Sequence, residues 1–115
     1  MDLRAYMRSI PDFPSPGILF WDITPLLANA RALGAAIDQL TEPFKDKDVD
    51  IVAAVEARGF IFGSAVAKAL GAGFVPIRKK GKLPFETHAV SYGLEYGKDT
   101  IEVHTDAIKP GMNVL

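Results

Sequence analysis

Two apolar runs, each stopping at a cluster of charged residues, constrain this chain more than any other feature. Val49 to Val55 is nearly all apolar and ends at Glu56, so it reads as a strand buried on both faces, the usual state in a parallel sheet. Phe60 to Leu70 reads as a helix closed by Gly71 as its C-terminal cap, and Phe74 to Ile77 gives a second short apolar strand. Strand, helix and strand within roughly 30 residues make a βαβ unit. The expected fold class is therefore α/β, with a doubly wound, mainly parallel sheet.

In open sheets of this class ligands collect at the carboxyl ends of the strands, and both charged clusters sit there. VEARGFIFG at 55–63 places Arg58 and Gly59 where the first strand turns into the helix. Gly59 allows a tight turn, the first-turn N–H groups lack intrahelical acceptors, and the helix dipole adds positive potential. Arg58 adds a planar fork that can grip two phosphate oxygens. RKKGKLP at 78–84 packs four cations, Arg78, Lys79, Lys80 and Lys82, into five residues. Each segment also has a plain structural reading: a helix entry with a surface salt bridge in the first, a solvated loop that protects a sheet edge in the second. Gly81 and Pro84 give the second segment the composition of a lid over a charged substrate, and the shared position favours a small polyanion.

Composition narrows the alternatives. The 115 residues are 49% hydrophobic and 23% charged, the balance of one globular domain rather than a disordered chain. No run approaches membrane length and the N-terminal stretch lacks a secretory apolar core, which leaves cytoplasm as the expectation. With no cysteine there is neither a disulfide nor a thiolate zinc site, and the two histidines, His88 and His104, are too dispersed for a metal cluster. A net charge of −1 gives no global attraction to nucleic acid, so the basic run is a local feature.

Elsewhere the signals are local. Leu3, Tyr6, Met7 and Ile10 recur at helical spacing and predict a short helix over 2–9, ended by Pro11. The stretch 11–18, with three prolines and Gly17, reads as an ordered loop. Asp22, Thr24 and Pro25 suit the cap and first turn of a short helix, and Leu33, Ile37 and Leu40 mark the face of a helix over 30–40. Phe20 and Trp21 either fill the core or offer a flat face to a planar base. Gly81 to His88 has loop chemistry, Ser91 to Tyr96 reads as a strand, and Thr100 to His104 alternates as a half-exposed strand does, so an arm or hairpin is expected there. Glu95 and Tyr96 lie in it between Gly93 and Gly97. Asn113, Val114 and Leu115 follow a Pro110-Gly111 turn and read as the start of a further strand.

Taken in order, DFPSPGILFWDITPLL at 12–27, VEARGFIFG at 55–63, RKKGKLP at 78–84 and LEYGKDTIEVH at 94–104 resemble the adenine phosphoribosyltransferases, of the type I phosphoribosyltransferase fold. The first segment separates the adenine enzymes from hypoxanthine, orotate and uracil relatives, with xanthine phosphoribosyltransferase the nearest competing subfamily. The resemblance implies transfer of ribose 5-phosphate from phosphoribosyl pyrophosphate to N9 of adenine, giving AMP and pyrophosphate in purine salvage. Mg²⁺ would be carried by the pyrophosphate, with no metal ligand from the protein. By similarity Phe20 stacks on adenine, while the backbone of Leu19 and Trp21 reads its Watson–Crick edge. Glu56, Ala57, Arg58 and Gly59, with a cis peptide expected at Glu56-Ala57, hold the pyrophosphate together with Arg78, Lys79 and Lys82.

The chemistry fits these residue types. Departure of magnesium pyrophosphate leaves an oxocarbenium-like sugar, so most of the barrier is charge and position. The incoming nitrogen must lose a proton, and Glu95 resembles the family's proton-handling glutamate, with Tyr96 helping to close the arm. A carboxylate near its reference pKa of about 4.3 is a weak base, so closure and desolvation are needed to raise it. The resemblance also implies a homodimer, with neither nucleic acid nor membrane as partner.

Two departures stand out. Trp21 occupies a position where many members have arginine. The family's paired aspartates and Thr/Gly-rich loop, which hold the ribose hydroxyls and the 5′-phosphate, are not among these residues. The expectation is one C-terminally incomplete domain over 1–115, inactive by itself, with 1–29 as the adenine-recognition segment and 79–102 as a flexible catalytic arm. A non-catalytic purine- or nucleotide-binding regulatory module is the alternative.

Overall fold

The computed structural model describes residues 1–94 and 97–115, which form two compact units, Met1–Glu42 and Pro43–Leu115.

The first unit is organised by a hairpin. Strand β1 (Arg8–Pro11) pairs antiparallel with β2 (Leu19–Asp22), with Arg8 opposite Asp22 and Pro11 opposite Leu19. The intervening loop is ordered by its own bonds: Gly17 N–H donates to Asp12 Oδ1 at 2.9 Å, and Phe13 N–H to the Ile18 carbonyl at 3.1 Å. The helix expected over 2–9 is corrected. Only Leu3–Tyr6 is helical, a 3-10 turn capped by Asp2 Oδ1 on Arg4 N–H at 3.0 Å, and the residues after it extend into β1. Strand pairing, together with the Arg8–Asp22 ion pair at 3.0 Å, overrides the apparent helical spacing of Met7 and Ile10.

Helix α1 (Thr24–Ala28) starts as expected, with Pro25 in its first turn and the Asp22 carboxylate accepting Thr24 N–H at 2.9 Å. Helix α2 (Ala30–Thr41) is capped by Asn29, whose Oδ1 accepts Ala32 N–H at 3.0 Å. Its buried residues are Ala32, Ala36 and Thr41, whereas Leu40, expected on the packed face, is 49% exposed. Thr41 tolerates burial because its hydroxyl donates to the Ile37 carbonyl at 2.7 Å.

The second unit contains the βαβ motif. Strand β3 (Ile51–Val55), helix α3 (Arg58–Leu70) and strand β4 (Gly73–Lys79) follow in order, and β3 pairs parallel with β4 from Ile51↔Gly73 to Val55↔Ile77. Gly71, at φ 68°, ends α3 in the left-handed conformation that glycine adopts without a Cβ penalty. Val52, Val66 and Ala67 form the core, with Leu70, Phe74 and Leu115 packed against them. The helix lies hard on the sheet at Gly63, where a Cβ would stand 2.7 Å from Ala54 Cβ and 3.0 Å from Phe74 Cε2.

The expectation that the first apolar strand is buried on both faces is also corrected. Only Val52 of β3 is buried, and Val55 is 43% exposed. Alternation turns Val52 and Ala54 toward α3 and Val55 away from it, and α3 is the one α-helix among this unit's described residues. On the outer side of β3, Val114 forms a parallel bridge to Ile51, and Ala53 N–H donates to the Leu115 carbonyl at 2.8 Å.

The remaining strands, β5 (Thr87–Leu94) and β6 (Gly97–His104), pair antiparallel, and β6 adds to β4 with Arg78 opposite Glu102. The sheet order is β3-β4-β6-β5, a mixed sheet. The strand expected from Ser91 already begins at Thr87. No helix among the described residues is long and apolar enough to cross a membrane.

Candidate active site

Parallel pairing brings the carboxyl ends of β3 and β4 side by side, since Val55 lies opposite Ile77. The chain leaves β3 through a cis Glu56-Ala57 peptide, as the resemblance implies, and enters α3 at Arg58. Ala57, at the N-cap, offers no side-chain oxygen to the first-turn amides, so nothing in its side chain offsets the positive helix end. A Cβ on Gly59 would lie 3.4 Å from Ala54 Cβ, so the helix start is held close to the strand it leaves.

Glu56 joins the two strand ends. One carboxylate oxygen accepts the Lys79 backbone N–H at 2.9 Å and Arg78 Nε at 3.0 Å. The Lys79 N–H, followed by Arg78 and the more distant Lys82, holds this carboxyl below the usual carboxylate range against the opposing effect of burial. An anion so engaged fastens the basic residues. Arg78 reaches the strand ends with its Nε already committed to this carboxylate.

The cation run continues as an anchored turn. Lys79 Nζ lies 3.6 Å from Asp99 Oδ2 on β6, and Lys80 N–H donates to the Thr100 carbonyl at 3.2 Å. Lys82 N–H closes back on the Lys79 carbonyl at 3.2 Å across Gly81, whose φ of 84° is the left-handed geometry that favours glycine. Gly81 N–H donates to Glu102 Oε1 at 2.8 Å, and the Thr87 hydroxyl donates to Glu102 Oε2. Tyr92 donates its hydroxyl to Asp99 at 3.1 Å, which lowers the Asp99 pKa and raises that of Tyr92.

Sequence reasoning missed Asp99 and Glu102. The available signal was two acids in an alternating strand that pairs antiparallel with the strand bearing the cations.

On β2 of the first unit the aromatic pair divides by alternation. Phe20 is half-buried and stacks edge-to-face on Phe13 with ring centroids 5.0 Å apart, while Leu19 and Trp21 are each 53% exposed. Trp21 lines an open cavity with Arg4 and Met7. Pro11, the register mate of Leu19, has no N–H, so it gives the Leu19 carbonyl no ladder bond. Asp22 pins the end of the strand, and its pKa is lowered first by the Thr24 N–H and then by the Thr24 hydroxyl and Arg8.

The second unit thus brings Glu56, Ala57, Arg58, Gly59, Arg78 and Lys79 to adjacent strand ends, with Lys82 on the turn that follows. Leu19, Phe20 and Trp21 stand together on β2 of the first. Glu95 and Tyr96 lie outside the described residues.

No family model matches the chain. It is 60% identical over all 115 residues to the adenine phosphoribosyltransferase of Rhodopirellula baltica, of which it spans 56%. It is 58% identical over its whole length to the adenine phosphoribosyltransferase of a Cyanothece species, of which it spans 68%. The crystal structure of the Saccharomyces cerevisiae adenine phosphoribosyltransferase, complexed with an imino-altritol bisphosphate and adenine, superposes with a TM-score of 0.91 at 43% identity, over 98% of this chain and 66% of that one. The chain spans little more than half to about two-thirds of the length of these relatives, and it belongs to the adenine phosphoribosyltransferase family.

Proposed function

We propose that this chain supplies the base-recognition and diphosphate-binding parts of an adenine phosphoribosyltransferase, which transfers ribose 5-phosphate from phosphoribosyl pyrophosphate to adenine and releases AMP and pyrophosphate. The observation that carries this reading is the fastening of two adjacent strand ends by Glu56, which sets the start of α3 at Arg58 beside Arg78 and Lys79. Positive charge fixed where negative charge develops on a leaving group needs no reorganisation during reaction, and such preorganisation is a large term in transfer chemistry.

In this reading Arg58 and the Gly59 N–H at the start of α3 take the diphosphate, the Phe60 N–H being engaged by the Ala57 carbonyl at 3.1 Å, and Lys79 and Lys82 complete its surroundings. Glu56 positions Arg78 and the Lys79 backbone through its carboxylate, and the Glu56-Ala57 turn stands with Arg58 among the diphosphate contacts. Mg²⁺ arrives on the diphosphate of the substrate. The Leu19 carbonyl, which Pro11 leaves without a ladder bond, and the outward-facing Trp21 support reading of adenine by the backbone of β2, with Phe20 against the ring. The yeast relative's complex with adenine supports the same base. Glu95 handles the proton lost from the incoming nitrogen, Tyr96 helps close the arm, and the protein works in purine salvage as a cytoplasmic homodimer.

Isothermal titration of the chain with adenine, and separately with magnesium pyrophosphate, tests the assignment. Arg58→Ala is expected to weaken pyrophosphate and spare adenine, and Phe20→Ala to do the reverse. Equal loss of both ligands in either variant would refute the division.

A further inference from the structure

We propose that Glu102 is a positioning residue for the diphosphate site, holding both ends of the 81–86 loop so that the turn bearing Lys79, Lys80 and Lys82 keeps one geometry. Its Oε1 accepts Gly81 N–H at 2.8 Å where the loop begins, and its Oε2 accepts the Thr87 hydroxyl where the loop ends. One side chain thus clamps two points on the chain, from a strand that is itself paired to β4.

The register makes this clamp unexpected. Glu102 lies opposite Arg78, the obvious ionic partner, yet Arg78 Nε binds Glu56. Both Glu102 oxygens hold the loop instead. The Thr87 hydroxyl, the Gly81 N–H and nearby Lys80 hold its carboxyl below the usual range, so it is ionised at neutral pH.

An ionised carboxylate beside a cation run lowers the positive potential offered to a diphosphate. Electrostatics alone would therefore disfavour it, and its two hydrogen bonds give it a reason to be there. This inference rests on the diphosphate reading of the cation run. Its chemistry separates the two effects, because glutamine keeps an acceptor for Gly81 N–H and offers an amide to the Thr87 hydroxyl while losing the charge.

The test is titration of inorganic pyrophosphate with Mg²⁺ into the 115-residue chain and its Glu102→Ala and Glu102→Gln forms, with adenine as the control ligand. Positioning predicts that alanine weakens pyrophosphate about tenfold, that glutamine binds within about twofold of the parent, and that adenine is unaffected in all three. If alanine and glutamine bind pyrophosphate equally well or both more tightly, only charge matters and the proposal is overturned. Trypsin cleavage after Lys80 and Lys82 reads the clamp without ligand, and it is expected to accelerate in the alanine form and not in the glutamine form. Should the parent bind no pyrophosphate, the diphosphate reading fails, while the trypsin pattern still decides whether Glu102 holds the loop. If Glu102→Ala does not fold, Thr87→Val removes one arm of the clamp and is expected to weaken pyrophosphate about threefold. Unchanged affinity and unchanged cleavage in that variant overturn the proposal.

Discussion

The Glu56 carboxylate meets the backbone N–H of Lys79, 23 residues further along the chain, at 2.9 Å. The bond ties the carboxyl end of β3 to that of β4 at the level where each strand hands over to its basic segment. The placement of the start of α3 relative to Arg78 and the Lys79 backbone is therefore set by the sheet and by Glu56.

This bond has a definite pH signature. The folded-state pKa of Glu56 is depressed below its ordinary value of 4.5. Its stabilising contribution is thus fully present above pH 4.5 and is lost as pH falls through the lowered folded-state value. Thermal unfolding of the parent and of Glu56→Gln is expected to show a gap at pH 7 that closes progressively below about pH 4.5. A gap independent of pH would show that the carboxylate charge is irrelevant.

The close approach of α3 to the sheet gives a steric prediction. Gly63→Ala would place its methyl 2.7 Å from Ala54 Cβ, an atom fixed to the backbone, and is expected to destabilise by about 1–3 kcal/mol. Gly34→Ala, in α2 where a Cβ meets nothing within 4 Å, is expected to stabilise by about 0.5–1 kcal/mol. Chemical denaturation of both variants checks the pair, and the opposite order of stabilities would contradict the packing described.

Under the proposed reading of the base by the backbone of β2, the Trp21 side chain is replaceable. Trp21→Arg, the residue many family members carry there, is expected to leave adenine affinity little changed in calorimetric titration. A large loss would assign the indole itself to the base site.

How much of this was legible in the sequence follows from the range of each interaction. The βαβ unit was readable because its signals are local: an apolar run, a helical stretch, a glycine at the cap and a second apolar run. The N-terminal strand was not, since Leu3, Tyr6, Met7 and Ile10 imitate a helix face and only pairing with Leu19–Asp22 selects the extended form. Periodicity puts Leu40 on the packed face, yet Leu40 is 49% exposed and Thr41 is buried, with its hydroxyl bonded to its own helix.

In the site, the residue types at Arg58 and at 78–82 were visible as charge at strand ends. The roles of Glu56, Asp99 and Glu102 were hidden, because each depends on cross-strand register over many residues and not on a local motif. The same limit hides the bonds that the Glu56 carboxylate accepts from Arg78 and Lys79.

The central claim is that the start of α3 and the Lys79–Lys82 turn form one diphosphate site. Backbone amide shifts followed by NMR during titration with magnesium pyrophosphate test it directly. The prediction is that the amides of Gly59 and Phe60 and those of Lys79 to Lys82 move together and fit a single dissociation constant. Movement of one group without the other, or two distinct constants, would contradict it.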